Sequence, residues 1–331
     1  MVINLLYIYN KSLNPYFNLA LEEYFLTKSK DEFFIIWRND NCIVVGKNQN
    51  TLSEINIDFV KKNDISVVRR LTGGGAVFHD KGNINFTFIK NINDVNISFQ
   101  EFLEPIVEFL KSLGVEAKIS GRNDIVVDEK KISGNAQTIK NGRMLHHGTL
   151  LFSANLKNVS EALKVSKEKY ESKGVKSVES RVTNIKSYLK NDMTVEEFMD
   201  ELYRYIKNNT DIKEYILTQE DIKNIDELVR NKYSTYEWNF GNSPKFNYKN
   251  SKKFNSGIVE VYLKIEKGKI DEIKIYGDFF NVADISDIEN ALKGCKYEIG
   301  DIKKALKEFD FNKYFIGISL DEFCQIFETI D

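Results

Sequence analysis

The chain has 331 residues, of which 42% are hydrophobic and 29% are charged. This length predicts about two domains, and the composition is typical of a globular protein with a sizeable core. The formal net charge of −2 argues against nucleic acid and against an anionic membrane as general partners. Three widely spaced cysteines predict reduced thiols. Since no signal sequence or long apolar run is found, we expect a cytoplasmic protein.

The N-terminal part of the chain predicts alternating strands and helices. The segment LLYIYN has the pattern of a strand, and the next segment begins a helix with Asn14 as N-cap and Pro15 at the first helical position. Ser53 is the expected cap of a second helix, over SEINIDFVKKND. Further strands are predicted over FFIIWR, CIVVGKNQN and ISVVRRL, and AVFHDKGNINFTFIK is expected to continue the sheet.

The rest of the chain predicts two hairpin regions separated by helices. An amphipathic helix is expected over 98–113, and helices dominate from about 158 to 231. Strands lie between them, and Asn141-Gly142 is the strongest hairpin signal. A second hairpin turns at Lys267-Gly268, and three short helices follow, near 284–293, 300–309 and 319–330.

The segment WNFGNSPKFNYKNSKKFNSG has little periodicity and is rich in Gly, Pro, Asn and Ser, which is typical of a connection between domains. We therefore expect two domains, over 1–243 and 250–331. The mixture of hairpins and helices predicts an α+β fold with a mixed, largely antiparallel sheet.

Three consecutive glycines, 73–75, lie between two basic residues and a strand-like segment. Arg69 and Arg70 precede them, and His79 and Asp80 follow. Inward-pointing amides of such a triplet can form an anion-binding nest, and the planar fork of Arg70 can bind a phosphate at two points. The surroundings do not complete a phosphate-loop or dinucleotide motif. A flexible surface turn and a surface ion pair of Arg70 remain alternatives.

A second polar cluster is GRNDIVVDEKKISGNAQ. Asn123 and Asp124 offer adjacent oxygen ligands of the kind that suits Mg²⁺, although an Asn-Asp pair is more often a turn or a cap. Lys131 precedes Ser133-Gly134, where backbone can approach a ligand closely. A lone lysine on a strand is more often solvated than catalytic.

His146 and His147 form the third feature. Pairing around Asn141-Gly142 sets His147 opposite Ala136 and His146 opposite Gln137. Ideal alternation places Lys131 on the face of His146, unless Ser133-Gly134 breaks the register. The spacing alone leaves open which histidine faces a site, and no cysteine lies near these segments in sequence.

The chain resembles the lipoate–protein ligase A family in several motifs, which occur in the same order and at nearly the same spacing. They are NPYFNLALEEYFL, RRLTGGGAVFHDKGN, GRNDIVV, KKISGNAQ, LHHGTLL and YEWNFGNSPKFN. The resemblance covers essentially the whole chain. One departure is Thr72, where many relatives have Ser, but a hydroxyl is retained.

The resemblance implies the α+β catalytic fold of biotin and lipoate ligases, with a small α+β C-terminal domain. It further implies an enzyme that joins lipoate to ATP with Mg²⁺, forming lipoyl-AMP and pyrophosphate. Such enzymes then transfer the lipoyl group to one lysine of an acceptor. The implied acceptors are apo lipoyl domains of 2-oxoacid dehydrogenase E2 subunits and the glycine-cleavage H protein.

The resemblance also implies roles for single residues. Lys131 matches a lysine that contacts the lipoyl carbonyl and the phosphate without being acylated, and Asp124 is the expected metal ligand. The implied ATP- and lipoyl-AMP-binding residues are Arg70, Thr72, Gly73, Gly74, Gly75, Ala76, Val77, Phe78, His79, Asn83, Asn123, Lys131 and His147. Candidates for a hydrophobic tunnel are Leu19, Val44, Val45 and Val77, with core packing equally open for Val44 and Val45.

Two alternatives remain. An ATP-independent octanoyl or lipoyl transferase of the same fold would carry a cysteine nucleophile near the lysine motif, and Cys42 is the nearest cysteine in sequence. A non-catalytic lipoate-binding protein would be expected to have lost Lys131 or Arg70, and this chain has both.

Overall fold

A computed structural model describes residues 5–92, 98–163, 181–241 and 248–327. The chain divides into two compact units, each described below by itself. The first unit comprises residues 1–44, 52–69 and 77–239. The second unit comprises residues 45–51, 70–76 and 240–331.

The first unit contains an eight-stranded mixed sheet. Its strands in spatial order are β11 (Ile212–Glu214), β1 (Leu5–Tyr9), β2 (Glu32–Arg38), β6 (Asn83–Asn91), β10 (Arg143–Leu151), β9 (Lys130–Lys140), β8 (Asp124–Val127) and β7 (Lys118–Ser120). The pairs β11–β1 and β1–β2 are parallel, and the remaining pairs are antiparallel. The predicted α+β class with a largely antiparallel sheet is therefore confirmed.

A smaller sheet of the same unit has the spatial order β4 (Ser66–Arg69), β3 (Cys42–Val45) and β5 (Val77–His79). The segment AVFHDKGNINFTFIK, expected to continue the sheet, forms two strands, β5 and β6, which belong to different sheets. A turn separates β5 from β6, because Asp80 accepts hydrogen bonds from the backbone amides of Gly82 and Asn83.

The first unit also contains helices. In chain order they are α1 (Pro15–Lys28), α2 (Thr51–Glu54), α3 (Ile57–Lys62), α4 (Gln100–Ser112), α5 (Leu156–Ala162), α6 (Val195–Asn209), α7 (Gln219–Leu228) and α8 (Tyr236–Phe240). A 3₁₀ turn covers Ile185–Tyr188 and a π-helical turn covers Val229–Tyr233. None of the helices in the described ranges has the length and apolarity that crossing a membrane requires.

The two predicted helix caps have different outcomes. Asn14 caps α1 as expected, because its side chain accepts from the amides of the first turn. The predicted cap Ser53 is wrong: Asn56 caps α3 instead. The physical reason is a long-range contact, since Ile55 forms a β-bridge with Leu163 that interrupts the helix between α2 and α3.

Strand β6 separates a hydrophobic face of the sheet from a polar one. Ile84, Phe86 and Phe88 belong to the main core cluster, which also includes apolar side chains of α4 and α6. Side chains alternate across a strand, so the three residues between and before them face the other way. These are Asn83, Asn85 and Thr87, all buried.

The second unit contains a three-stranded antiparallel sheet of β12 (Tyr248–Phe254), β13 (Gly257–Glu266) and β14 (Lys269–Gly277). The hairpin at Lys267-Gly268 is confirmed, with φ of 51° and 74° at its two residues. Residues 242–247 of the predicted connection lie outside the described residues. The following residues of the predicted connection, 248–254, form the regular strand β12, which pairs with β13. The helices of this unit are α9 (Ile285–Leu292), α10 (Ile299–Leu306), α11 (Phe311–Tyr314) and α12 (Leu320–Cys324).

Candidate active site

A β-bulge in β9 determines where Lys131 points. The ladder between β8 and β9 skips Ile132, whose side chain is buried in the main core. Bulges redirect the side chains next to them. Lys131 consequently faces the side of Gly134, where a Cβ on that glycine would lie 2.7 Å from the lysine Nζ. The register is therefore broken, and Lys131 is not on the face of His146.

Lys131 forms an ion pair with Asp124. The Nζ lies 2.7 Å from Oδ1, and both side chains are partly exposed, at 39% and 35%. Asn123 has a structural role, since its Nδ2 donates to the backbone oxygen of Asn135, and its own carbonyl accepts from Asn135. The two neighbouring residues thus have different roles. Asn123 is hydrogen-bonded to Asn135, and the carboxylate of Asp124 pairs with the lysine.

The donor set around Asp124 fits Mg²⁺ only when a substrate completes it. In the part of the chain that the structure describes, no three His, Cys, Asp or Glu side chains gather as a metal cluster. Mg²⁺ is commonly held by one or two carboxylates together with substrate phosphates and water. One partly exposed carboxylate beside a lysine meets that requirement.

A row of residues crosses the polar face of the sheet beside this ion pair; we call it the cross-sheet row. Trp37 is the ladder partner of Asn85, and Asn85 is the partner of Thr149. The amide of Gly134 donates to Thr149 Oγ1 at 3.1 Å, and Gly134 pairs with Asp124. The cross-sheet row therefore runs from an indole at one end to a carboxylate and a lysine at the other.

His147 lies on the same face and is oriented by a buried carboxylate. Its Nδ1 is 3.0 Å and 3.1 Å from the two oxygens of Glu22, so Nδ1 carries a proton that Glu22 accepts. Thr87 also donates to Glu22, and the indole of Trp37 donates to Thr87. Sequence reasoning selected His147 but missed Glu22 and Thr87. The alternation of polar residues in NINFTF was the available signal for a polar sheet face.

His146 belongs to the hydrophobic core and not to the site. Its ring stacks on Phe102 at a centroid distance of 4.8 Å, and its Nδ1 lies 2.9 Å from Gln137 Nε2. Burial, followed by the charge of His147, lowers the pKa of His146 well below its ordinary value. His146 is thus a neutral structural residue, and His147 is the histidine on the polar face of the sheet.

His79 is held at the end of a chain of buried amides. Asn39 Nδ2 lies 3.1 Å from His79 Nδ1, and the Oδ1 of Asn39 accepts from Asn18. Since Asn39 uses its oxygen for Asn18, its nitrogen donates to His79. His79 Nδ1 is therefore the acceptor, and the proton of the neutral ring is on Nε2.

The cysteines do not have the surroundings of a nucleophile. The ladder places Cys42 directly opposite His79, a proximity that the sequence did not show. The thiol is nevertheless inaccessible, with 0% exposure, and burial raises its pKa. Burial also raises the pKa of Cys295, and Cys324 is buried. A reactive thiolate requires the opposite environment.

In the second unit, Arg70 organises the glycine loop, residues 72–76. Its Nε donates to Thr72 Oγ1 at 3.0 Å, and its Nη2 donates to the carbonyls of Gly73 and Gly75 at 2.6 Å and 2.9 Å. The guanidinium thus draws loop carbonyls toward itself. Sequence reasoning expected Arg70 to contact phosphate, and the structure adds this role in shaping the loop.

The three glycines of the loop are under different structural constraints. A Cβ on Gly73 would lie 2.5 Å from the carbonyl oxygen of Phe279, and Gly74 has a φ of +90°. Neither constraint applies to Gly75, where no described atom lies within 4 Å of such a Cβ. A glycine with open space beside it, in a loop whose other glycines are needed for the backbone, suits close approach of a ligand.

Hydrogen bonds within the second unit connect the glycine loop to residues 277–281. Gly277 donates to the carbonyl of Asn48, and the Asn48 side chain donates to Asn281, each at 2.7 Å. Lys47 in turn donates its amide to the carbonyl of Thr72 at 2.8 Å. The loop is therefore tied to residues 277–281 through the 46–49 turn.

The remaining predicted residues are mostly buried. Asn83 is 0% exposed and donates to Asn85 Oδ1 at 3.1 Å. Val77 pairs with Val44 between β5 and β3, and Phe78 pairs with Ile43. The tunnel candidates Leu19, Val44 and Val45 are each at most 2% exposed. Ala76 and Val77 are partly exposed.

Two family descriptions match the chain. Residues 14–207 match the lipoyl protein ligase A/B catalytic domain, and residues 243–327 match the bacterial lipoate protein ligase C-terminus. The lipoate-protein ligase LplJ of Bacillus subtilis is 46% identical over 329 residues, covering 97% of this chain and 99% of that protein. The chain belongs to the lipoate–protein ligase family.

Solved structures agree with this assignment. The P. falciparum protein LipL1, solved in complex with lipoate, has a TM-score of 0.75 at 29% identity and covers 93% of this chain and 95% of its own. A lipoate-protein ligase A bound with ATP has a TM-score of 0.63 at 29% identity, covering 73% and 99%. A bipartite lipoate protein ligase of Thermoplasma acidophilum, described with its E2 lipoyl domain, has a TM-score of 0.66 at 31% identity, covering 74% and 100%. This chain is accordingly a lipoate–protein ligase.

Proposed function

We propose that this ligase activates lipoate with ATP and Mg²⁺ to lipoyl-AMP, releases pyrophosphate, and transfers the lipoyl group to a lysine of an apo lipoyl domain. The observation that carries the proposal is the Lys131–Asp124 pair, which the bulge at Ile132 directs to the face of Gly134. A cation and a carboxylate at one place suit a reaction between two anions.

In the first step, a carboxylate oxygen of lipoate forms a bond to the α-phosphorus. The bond from that phosphorus to the bridging oxygen breaks, and pyrophosphate leaves. Because nucleophile and electrophile are both negatively charged, catalysis comes mainly from positioning and from cations. Lys131 supplies one positive charge, and Mg²⁺ on Asp124 would neutralise phosphate charge.

In the second step, the acceptor lysine attacks the acyl carbon as the free amine and loses a proton. The bond between the acyl carbon and the phosphate oxygen breaks, and AMP leaves. Lys131 donates hydrogen bonds to the carbonyl oxygen, where negative charge develops, and stays unacylated. His147 and His79, both oriented by buried partners, complete the polar surroundings as proposed binding residues.

The glycine loop is the proposed nucleotide-binding element. We assign Thr72, Gly73, Gly74, Gly75 and Ala76 to contacts with ATP through their backbone, and Arg70 to loop shape as well as to phosphate. Val77, Phe78, Asn83 and Asn123 of the first unit are proposed as further ligand-binding residues. The acceptors proposed are E2 lipoyl domains and the glycine-cleavage H protein, in the cytoplasm.

The test of this proposal is adenylation without an acceptor. Purified protein is incubated with ATP, Mg²⁺ and lipoate, and pyrophosphate and lipoyl-AMP are measured. We expect both products, and we expect neither when lipoate or Mg²⁺ is left out. Lipoylation of an acceptor from a lipoyl thioester without ATP would instead favour the transferase alternative.

A further inference from the structure

Asn83 and Asn85 form a buried amide pair that leaves two polar atoms without a partner. Asn83 is 0% and Asn85 is 2% exposed. Asn83 Nδ2 donates to Asn85 Oδ1 at 3.1 Å, while Asn83 Oδ1 and Asn85 Nδ2 have no hydrogen-bond partner among the described residues. Exchanging the oxygen and nitrogen positions in both side-chain amides keeps the hydrogen bond between them. One donor and one acceptor again have no partner. Unpaired buried polar groups oppose folding, so an occupant that satisfies them is expected.

The cross-sheet row gives the position of Asn85 relative to Lys131. Asn85 pairs with Thr149 on the next strand, and Thr149 accepts from Gly134 on the strand after that. Neighbouring strands are about 4.8 Å apart, so Asn85 lies roughly 10 Å from Gly134 across the sheet. The ammonium of Lys131 faces Gly134. The row therefore sets a fixed distance from the lysine to the amide pair.

This distance matches the acyl chain of lipoate. The chain has eight carbons, and with C–C bonds of about 1.5 Å its extended zigzag spans roughly 9 Å. With the acyl carbon at Lys131, the dithiolane ring, whose sulfurs are on the sixth and eighth carbons, reaches Asn85. Trp37, the ladder partner of Asn85, closes the far end of the row.

We infer that Asn85 is a specificity-determining residue that distinguishes lipoate from octanoate by donating a hydrogen bond to a dithiolane sulfur. The inference rests on the proposed function, since it places the acyl carbon at Lys131. Sulfur is a weak acceptor, but octanoate offers no acceptor at all at this end of the chain. A site built around a polar contact rejects the analogue that lacks it, because the buried donor is then left unpaired.

The experiment compares the wild type with Asn85→Leu, which keeps the number and branching of the side-chain heavy atoms and removes the polar atoms of the amide. kcat/KM for lipoate and for octanoate is measured by pyrophosphate release. We expect a preference for lipoate in the wild type, and a fall of about five- to tenfold in the lipoate-to-octanoate ratio in Asn85→Leu, of the size of one hydrogen bond. Asn85→Ser, which keeps a shorter donor, should restore part of the ratio. An unchanged ratio in Asn85→Leu would overturn the inference.

Gln137→Leu is the matched control, because Gln137 is also a buried amide but faces His146 in the core. It should lower stability and leave the ratio unaltered; an equal change in the ratio would mean that Asn85 acts only through general packing. Calorimetric binding of lipoate and octanoate separates this inference from the proposed function. Absence of pyrophosphate release by the wild type would refute adenylation, whereas equal effects of Asn85→Leu on both dissociation constants would refute the role of Asn85.

Discussion

The ammonium of Lys131 is 2.7 Å from the carboxylate of Asp124, although the regular alternation of β9 would send the lysine to the opposite face of the sheet. The bulge at Ile132 produces this arrangement. It places the side chain of Ile132 in the hydrophobic core and the side chain of Lys131 on the other, polar face of the sheet. The position of the proposed catalytic cation thus depends on how the neighbouring residue is buried.

Lys131→Ala should leave the fold intact and slow both adenylation and transfer by about 10²–10³-fold, since a preorganised donor at developing charge contributes that much. Lys131→Arg should not restore activity, because a planar fork cannot replace a compact ammonium on a slim stem. Single-turnover rates for each step, with circular dichroism for folding, provide the measurement. Lys130→Ala, an exposed neighbour, is the control. Near-normal rates in Lys131→Ala would remove this lysine from the site.

The glycines of the loop should respond differently to alanine. Gly74→Ala should destabilise the protein by about 1–3 kcal/mol, because φ is +90° there. Gly75→Ala, next to open space, should change the unfolding free energy by less than about 0.5 kcal/mol but weaken ATP binding strongly. Thermal unfolding and calorimetric ATP titration of the two variants test this contrast. ATP affinity equal to wild type in Gly75→Ala would show that no ligand passes close to this glycine.

No cysteine should be required. A variant with all three cysteines changed to Ser should still adenylate lipoate, apart from packing losses at the buried Cys42 and Cys324. The reason is that burial raises the pKa of the Cys42 thiol and keeps it protonated. Mass spectrometry of the wild type with lipoyl or octanoyl thioesters is the direct check. A thioester trapped on Cys42 would revive the transferase alternative.

His146 should make stability depend on pH. Its pKa in the folded protein is well below the ordinary value, so below about pH 6.5 the unfolded chain binds a proton that folded His146 does not. The stability that neutral His146 provides is therefore complete above that pH and is lost as the pH falls, by up to about 1.4 kcal/mol per pH unit.

Urea unfolding at pH 7 and pH 5 measures this dependence. His146→Phe retains an aromatic ring against Phe102 and has no titrating group, so it should lose less stability between the two pH values than the wild type does. The same loss in both proteins would show that other groups govern the acid dependence.

Local signals predicted much of this structure, and long-range contacts account for the errors. Asn141-Gly142 correctly set His147 opposite Ala136, because turn type fixes the register of a hairpin. Whether Lys131 or Ile132 would turn inward depended on the core, which no local pattern describes. The cap at Ser53 failed for the same kind of reason, since a bridge to a distant strand-like residue ends the helix. Glu22 and Thr87 are far apart in sequence, and only the folded sheet places them beside His147.

The central claim is that the acyl group passes from a bound adenylate to a lysine of another protein. The most direct measurement isolates the protein after incubation with ATP, Mg²⁺ and lipoate, removes free nucleotide, and adds an apo E2 lipoyl domain without further ATP. Intact-mass analysis should show one lipoyl group on the acceptor and AMP released in equal amount. An unmodified acceptor, or modification that requires fresh ATP although adenylate was bound, would contradict the account.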